Sequence, residues 1–264
     1  MSSKIHPTAI IHDGATIANE VEIGPYCIVG AGVTLSENVV LVSHVHIEGL
    51  TTVGCGTKIY PFASIGTPPQ DLKFAGEKSE LIIGKNNTIR EHVTINPGTA
   101  HGAMKTVIGD NCLLMMAAHV AHDCVIGDNV IMANNATVAG HVEVGDNAII
   151  GGLSAVHQFV RIGEHAIIGG MSGVDNDVVP YGRVKGERAS LAGLNLIGLT
   201  RSGFDKGDIK QIQRAFNKLF SDDDTFDQRT EMVSKDFCDD DLVMSIIKFI
   251  KEKDKFPICQ PRKN

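Results

Sequence analysis

From Ile11 onward an aliphatic side chain falls on every sixth position: Ile17, Ile23, Val29, Leu35, Leu41, Ile47, Val53, Ile59 and Ile65. The beat resumes at Ile83, Ile89 and Ile95, and again from Ile108 to Val174. Of these 25 positions, 24 are Ile, Leu or Val and one is Met132. Neither a helical period nor simple strand alternation produces a period of six. Four residues after each aliphatic, Pro69 aside, 23 of 24 positions are Ala, Val, Cys, Thr or Ser, Asn87 being the exception. That uniform smallness implies a second inward position where space is tight. Three residues after each aliphatic, 16 of 25 positions are Gly, Asn, Asp or His. These types best tolerate positive φ, so the position marks a corner. Short strand, corner, short strand describes a parallel β-helix with three sides, about 18 residues per turn, and rungs ~4.8 Å apart.

Two stretches break the beat, 67–80 and 100–106. Solenoids accept insertions at corners, so both are expected as loops leaving the coil. Beyond Pro180 the period changes. Ile209, Ile212, Phe216 and Leu219 recur at helical spacing, as do Leu242, Ile246, Ile247 and Phe249 or Ile250. The reading is an all-β coil over 1–186 and a small α-helical domain over 187–264 that caps the last rungs, because an uncapped solenoid end aggregates.

Composition narrows the function classes. The chain has 264 residues, 43% of them hydrophobic, which is ample for a core. It has no apolar run long enough for a membrane span and no signal-like start, so a cytoplasmic protein is expected. Its six cysteines form no CxxC pair and no dense framework, and reduced thiols fit. Cys27, Cys112 and Cys124 occupy the small inward position, where packing is their role. A net charge of -7 argues against a nucleic-acid binder. Against that total, residues 183–218 hold eight basic and three acidic side chains.

Ionisable groups crowd one short stretch, His119-Val-Ala-His122-Asp123-Cys124. With about 18 residues per turn, His141 follows His122 by one turn plus one residue, so the two share an edge within ~5 to 7 Å. His157 lies close to the following rung. Corners favour histidine for conformational reasons alone, as His44, His92 and His165 show. His122, however, precedes the corner, and Asp123 occupies it, where a carboxylate can fix the imidazole tautomer. Clustered histidines also raise zinc, but no third ligand stands at a suitable spacing, so no metal and no cofactor is expected.

The units IGDN, IGEH and VGDN resemble the hexapeptide repeats of the left-handed parallel β-helix, and the handedness comes from that likeness alone. DLKFAG (71–76), HVAHDC (119–124), AGHV (139–142), AVHQF (155–159) and GLNLIGL (193–199) together resemble the UDP-N-acetylglucosamine 3-O-acyltransferases of lipid A biosynthesis. The resemblance implies a homotrimer with active sites between neighbouring chains, acyl carrier protein as donor and UDP-N-acetylglucosamine as acceptor. It implies His122 as general base, Asp123 as its orienting carboxylate and the Gly140 N–H as an oxyanion donor. Asp71, Lys73, His119, His141, His157, Gln158, Asn195 and Arg201 match positions that contact the sugar nucleotide or the donor. Gly170 matches the position that reads acyl length, where a glycine implies a long chain of about C12 to C16, a range over which each CH₂ counts for ~0.8 kcal/mol. The sequence departs from the family pattern at Ile197, Ser202 and Asn96, which bears on nucleotide contacts. The rival readings are the N-acyltransferase of the same pathway, which normally carries a further N-terminal domain, a β-helical zinc enzyme, and a non-catalytic scaffold.

Overall fold

Each beat of six folds as a two-residue strand followed by a turn, with the aliphatic side chain pointing inward. A computed structural model describes residues 3–252 and 255–262. Of the aliphatic series only Ile11 and Ile17, on the open first turns, are partly exposed; the others from Ile23 to Val174 are at most 3% exposed. The small residues four positions on fill the same interior. The strands stack into three parallel faces. Face I runs from Lys4–Ile5 through Ile167–Ile168, face II from Ile10–Ile11 to Gly173–Val174, and face III from Thr16–Ile17 to Arg161–Ile162. Register is fixed by the repeat: Ile10 pairs with Ile28 and Thr137 with Ala155. The architecture is a left-handed parallel β-helix. It begins one strand before Ile11, since Lys4–Ile5 already pairs with Glu22–Ile23.

The corners adopt the left-handed region, at Asn38, Asn129 and His141 as their residue types suggest, but also at Tyr26, Phe62, Leu153 and Phe159. A non-glycine residue there costs about 1–2 kcal/mol. Stacking along an edge offsets part of that, as in the ladder Tyr26, His44, Phe62, His92, with ring centroids 5.0, 5.1 and 5.1 Å apart.

Both interruptions leave the coil without disturbing its pairing. Ser64 pairs with Thr94 across the first, and Thr94 with His119 across the second. The loops are slightly shorter than the sequence suggests, because strands restart at Glu80 and at Lys105. The two loops are tied together. The Glu77 carboxylate accepts N–H bonds from Ala75 and from Ala100, both 2.8 Å.

Past the last full turn, Gly182–Lys185 continues face I and pairs antiparallel with Ser190–Leu194. A strand therefore lies within 187–264, where only helices were expected; its five residues carry no repeat to betray it. Four helices follow: α1 (Leu196–Arg201), α2 (Lys206–Leu219), α3 (Phe226–Asp236) and α4 (Asp241–Lys251). Reciprocal capping boxes start α2 at Asp205 and α3 at Thr225. Helix α2 buries Ile212, Ala215, Phe216 and Leu219, and α4 buries Val243, Ile246, Ile247 and Ile250. Helices α1 and α3 were not visible in the sequence, α1 for its six residues and α3 because it buries only Thr230 and Val233. Residues 255–262 return to the coil, where Ile258 bridges Asp177 and Pro261 bridges Leu191. No helix among the described residues is long and apolar enough to cross a membrane.

Candidate active site

The edge between faces II and III carries Asp123, His141, Phe159 and Asp177 on successive corners. The repeat places them in line, so the side chains of neighbouring rungs meet. His122 and His141 pack edge to face at 5.1 Å, and His141 stacks on Phe159 at 4.4 Å. The His141 N–H donates to the His122 carbonyl at 3.0 Å, which fixes the spacing of the two rungs.

His122 Nδ1 lies 2.8 Å from Asp123 Oδ2. A proton on Nδ1 satisfies that carboxylate, leaving Nε2 as the acceptor. Asp123 is almost wholly buried, which by itself would raise its pKa. Hydrogen bonds from the Thr99 side chain, from His122 and from the Thr99 backbone outweigh burial and hold the carboxyl below its ordinary value. Gly140 gives the imidazole its room. A Cβ at that position would lie 2.5 Å from Cε1 and 2.6 Å from Nε2 of His122. Among the described residues no backbone hydrogen bond engages the Gly140 N–H.

Around this group opens a cavity of about 700 Å³. Of the residues singled out in the sequence it brings together Asp71, Lys73, His119, His122, His141 and Gln158, with Gly140. Asp71 accepts the Lys73 N–H at 3.0 Å, which shapes the first loop where it meets the cavity. His119 is hydrogen-bonded through Nδ1 to Thr94 Oγ1 at 2.7 Å; burial and then the proximity of His122 push its pKa down. Burial likewise lowers that of His141, against the opposing pull of Asp123. Neutral imidazoles beside a charged carboxylate suit proton transfer more than anion capture. Beneath the site, burial pushes the Cys124 thiol up to about 12, consistent with packing and not nucleophilic chemistry.

Ligand atoms of His122, Asp123 and His141 lie within 4.8 Å of one another, so they could hold a metal ion. The Asp123 oxygens already accept from Thr99 and His122, and Oδ2, which takes three of these bonds, would have to give some up to serve as a metal ligand.

Asp123 is buried behind His122 and does not line this cavity, and four further expected positions lie away from it. His157 is exposed one rung on, edge-on to Phe256 at 5.4 Å. Asn195 caps α1, accepting from the Gly198 N–H and donating to the His165 carbonyl, and so sits at the edge between faces III and I. Arg201 is exposed in the last turn of α1. Gly170 precedes the corner Met171, across face II from His122. The two stand at opposite edges of face II, so a groove that follows the edge of His122 does not reach Gly170 within one chain. Of the departures, Ile197 is exposed, Ser202 is the C-cap of α1, and Asn96 lines the cavity while donating to the Thr67 carbonyl at 2.9 Å. Sequence reasoning missed Thr99 and Phe159. Thr99 stands at a small inward position and Phe159 at a corner, both of which read as structural.

Comparison with known proteins shows the family. The model of the bacterial transferase hexapeptide repeat matches residues 2–37 and 105–140, and that of UDP N-acetylglucosamine O-acyltransferase, domain 2, matches 177–259. The acyl-[acyl-carrier-protein]–UDP-N-acetylglucosamine O-acyltransferase of Rickettsia canadensis is 57% identical over 258 residues, 98% of each chain. The protein of the same name from Azorhizobium caulinodans is 52% identical over 257 residues, 97% of this chain and 95% of its own. A solved UDP-N-acetylglucosamine acyltransferase superposes with a TM-score of 0.94 at 45% identity, covering 98% of this chain and 100% of its own. The Moraxella catarrhalis UDP-N-acetylglucosamine O-acyltransferase does so at 0.93 and 42% identity, covering 97% and 99%. With identity above half sustained along nearly the whole length, this chain belongs to the UDP-N-acetylglucosamine O-acyltransferases, an acyltransferase family of enzymes.

Proposed function

We propose that the chain transfers a 3-hydroxyacyl group from acyl carrier protein to the 3-hydroxyl of UDP-N-acetylglucosamine, opening lipid A synthesis, with His122 as general base. The observation that carries this is His122, oriented by the buried Asp123, lining a cavity that also holds Asp71 and Lys73. Nε2 of His122 accepts the proton of the sugar hydroxyl as its oxygen attacks the thioester carbonyl. The C–O bond forms, the carbonyl π pair moves onto oxygen, and the Gly140 N–H donates to that oxyanion. Collapse breaks the C–S bond, and the imidazolium returns the proton to the leaving thiolate. A positioned base is worth ~10²- to 10⁴-fold, and an oxyanion donor a few kcal/mol. The reading includes a cytoplasmic homotrimer, in which a neighbouring copy brings His157, Asn195, Arg201 and Gly170 to the open cavity.

Mass spectrometry of the product from UDP-N-acetylglucosamine and a series of acyl carrier protein thioesters, hydroxylated and plain, tests the proposal. An alkali-labile ester at the 3-position supports it. An amide, formed only with a 3-amino acceptor, replaces the stated acceptor, and no transfer at all discards the activity.

Donor length is tested at Gly170. A Cβ there meets the Gly152 carbonyl oxygen at 3.3 Å, closer than an ordinary contact, and the Gly152 nitrogen at 3.9 Å, so the backbone at Gly152 must yield by a few tenths of an ångström to admit a side chain. Gly170→Met should move the preferred donor from about C12–C16 to near C10, a change of several CH₂ groups at ~0.8 kcal/mol each, with activity on that shorter donor largely kept. Equal loss at every length would make Gly170 structural.

Donor docking is tested on α2. Lys206, Lys210, Arg214 and Lys218 recur every fourth residue, exposed, on the helix face opposite Ile212 and Phe216. Lys218 is paired with Asp236, while Arg214 donates to Gln211. Such a stripe steers an acidic carrier. Lys210→Glu with Arg214→Glu should raise KM for acyl carrier protein about tenfold at low salt, leaving KM for the sugar nucleotide unchanged. An unchanged donor KM removes the stripe as docking site.

A further inference from the structure

The second inserted loop touches the active edge at one carboxylate. Thr99, at the root of that loop, directs its N–H to both Asp123 oxygens at 3.1 Å and its hydroxyl to Oδ2 at 2.7 Å. Thr99 is 1% exposed and Asp123 5%, so water does not compete for these bonds. The loop also closes over the carboxylate at Gly102, where a Cβ would collide with Asp123. It is held in that place from outside, because Glu77 of the first loop accepts the Ala100 N–H next to Thr99.

These contacts exceed what packing asks. Thr99 occupies the small inward position that elsewhere holds Val, Ala, Cys, Thr or Ser; the hydroxyls of Thr51 and Thr57 there donate to backbone carbonyls, whereas that of Thr99 donates to a carboxylate. A valine would fill the same volume, so the hydroxyl answers to something other than space. Its partner is the oxygen that meets His122 Nδ1. Three donors converge on Asp123 from two directions, and this leaves the carboxylate one orientation, with Oδ2 turned to the imidazole.

We propose that Thr99 is a positioning residue for the reaction, locking the Asp123 carboxylate so that His122 is held in the tautomer and orientation in which Nε2 receives the proton. This rests on the reading of His122 as the base. It makes the second inserted loop part of the working site, and it links that loop through Glu77 to the one bearing Asp71 and Lys73.

The test uses the full chain with UDP-N-acetylglucosamine and a 3-hydroxyacyl carrier protein, comparing Thr99→Val, Thr99→Ser, His122→Ala and the double variant His122→Ala/Thr99→Val. Thr99→Val should lower kcat about tenfold, the scale of one charge-assisted hydrogen bond, with KM for either substrate changed less than about twofold. Its kcat–pH profile should move its acid limb upward, because Asp123 loses a donor that favoured the charged carboxylate. Thr99→Ser should restore both. In the His122→Ala background, Thr99→Val should cost nothing further, since it acts through the base. Thr99→Ala carries the same test if the valine variant fails to fold. A folded Thr99→Val or Thr99→Ala with near wild-type kcat, or an equal loss repeated without His122, overturns the positioning role. Near wild-type turnover in His122→Ala would instead overturn the base.

Discussion

His122→Ala should fold and assemble as the wild type does and lose at least ~10²-fold in kcat. The inward positions flanking His122 are Val120 and Cys124, both fully buried, and the imidazole itself lies outside the coil over Gly140. Truncating it removes no contact inside the coil, and Asp123 keeps both Thr99 donors, so oligomer size should match wild type and thermal unfolding should fall only by the loss of the His122–Asp123 bond. What is lost is the acceptor for the hydroxyl proton, together with the group that returns it to the leaving thiolate. Residual turnover would come from binding and from the oxyanion donor, and KM for either substrate should move little. Single-turnover rates at saturating donor and acceptor make the measurement. A folded His122→Ala variant with near wild-type rates would sink the mechanism, and with it the interpretation of Asp123.

How much of this was legible in the sequence differs by feature. The coil was readable because a period of six writes the same physical demand many times over, so single exceptions such as Asn87 do not blur it. Asn87 shows what one exception can do. It is 1% exposed, donates to the Gly109 carbonyl and accepts from the Cys112 N–H, substituting hydrogen bonds for apolar packing. The neighbourhood of His122 and His141 followed from the same arithmetic, since one turn plus one residue sets both on one edge. Gly170 entered only through the resemblance; the order of strands puts it at the edge between faces I and II, across face II from His122. Thr99 was hidden for another reason. In the repeat it is one more small inward residue, and only the path of the inserted loop, which no periodicity describes, aims its hydroxyl at Asp123. The C-terminal segment lost legibility with its repeat. Strand Ser190–Leu194 and helix α3 are held by neighbours and caps, not by a pattern of their own.

The same edge that carries Asp123 and His141 ends at Asp177, and here a large loss of stability is expected from Asp177→Ala. Asp177 is fully buried. Its Oδ1 accepts the Arg161 N–H at 2.9 Å, and Oδ2 lies 2.8 Å from Arg161 Nε and 2.6 Å from Nη2. Arg161 also donates to the Phe249 carbonyl of α4 at 3.3 Å and lies 4.4 Å from the centre of the Phe249 ring. The Asp177 backbone meanwhile holds the returning tail, accepting from the Cys259 N–H at 2.7 Å. One ion pair thus joins the last rung, helix α4 and the tail. A buried pair is weak as net stabilisation, but removing one partner strands the other charge, at a cost of about 3–5 kcal/mol. For a chain of this size that corresponds to roughly 10 °C in Tm, read at fixed protomer concentration because assembly would add its own stabilisation. Arg161→Met alone should cost less, since the Arg161 N–H still reaches Asp177 Oδ1. Combining Arg161→Met with Asp177→Ala should recover much of the loss, because no unpaired charge remains. A Tm for Asp177→Ala within about 2 °C of wild type would show that water or another group reaches Arg161 once the carboxylate is gone, and that the junction does not depend on the pair.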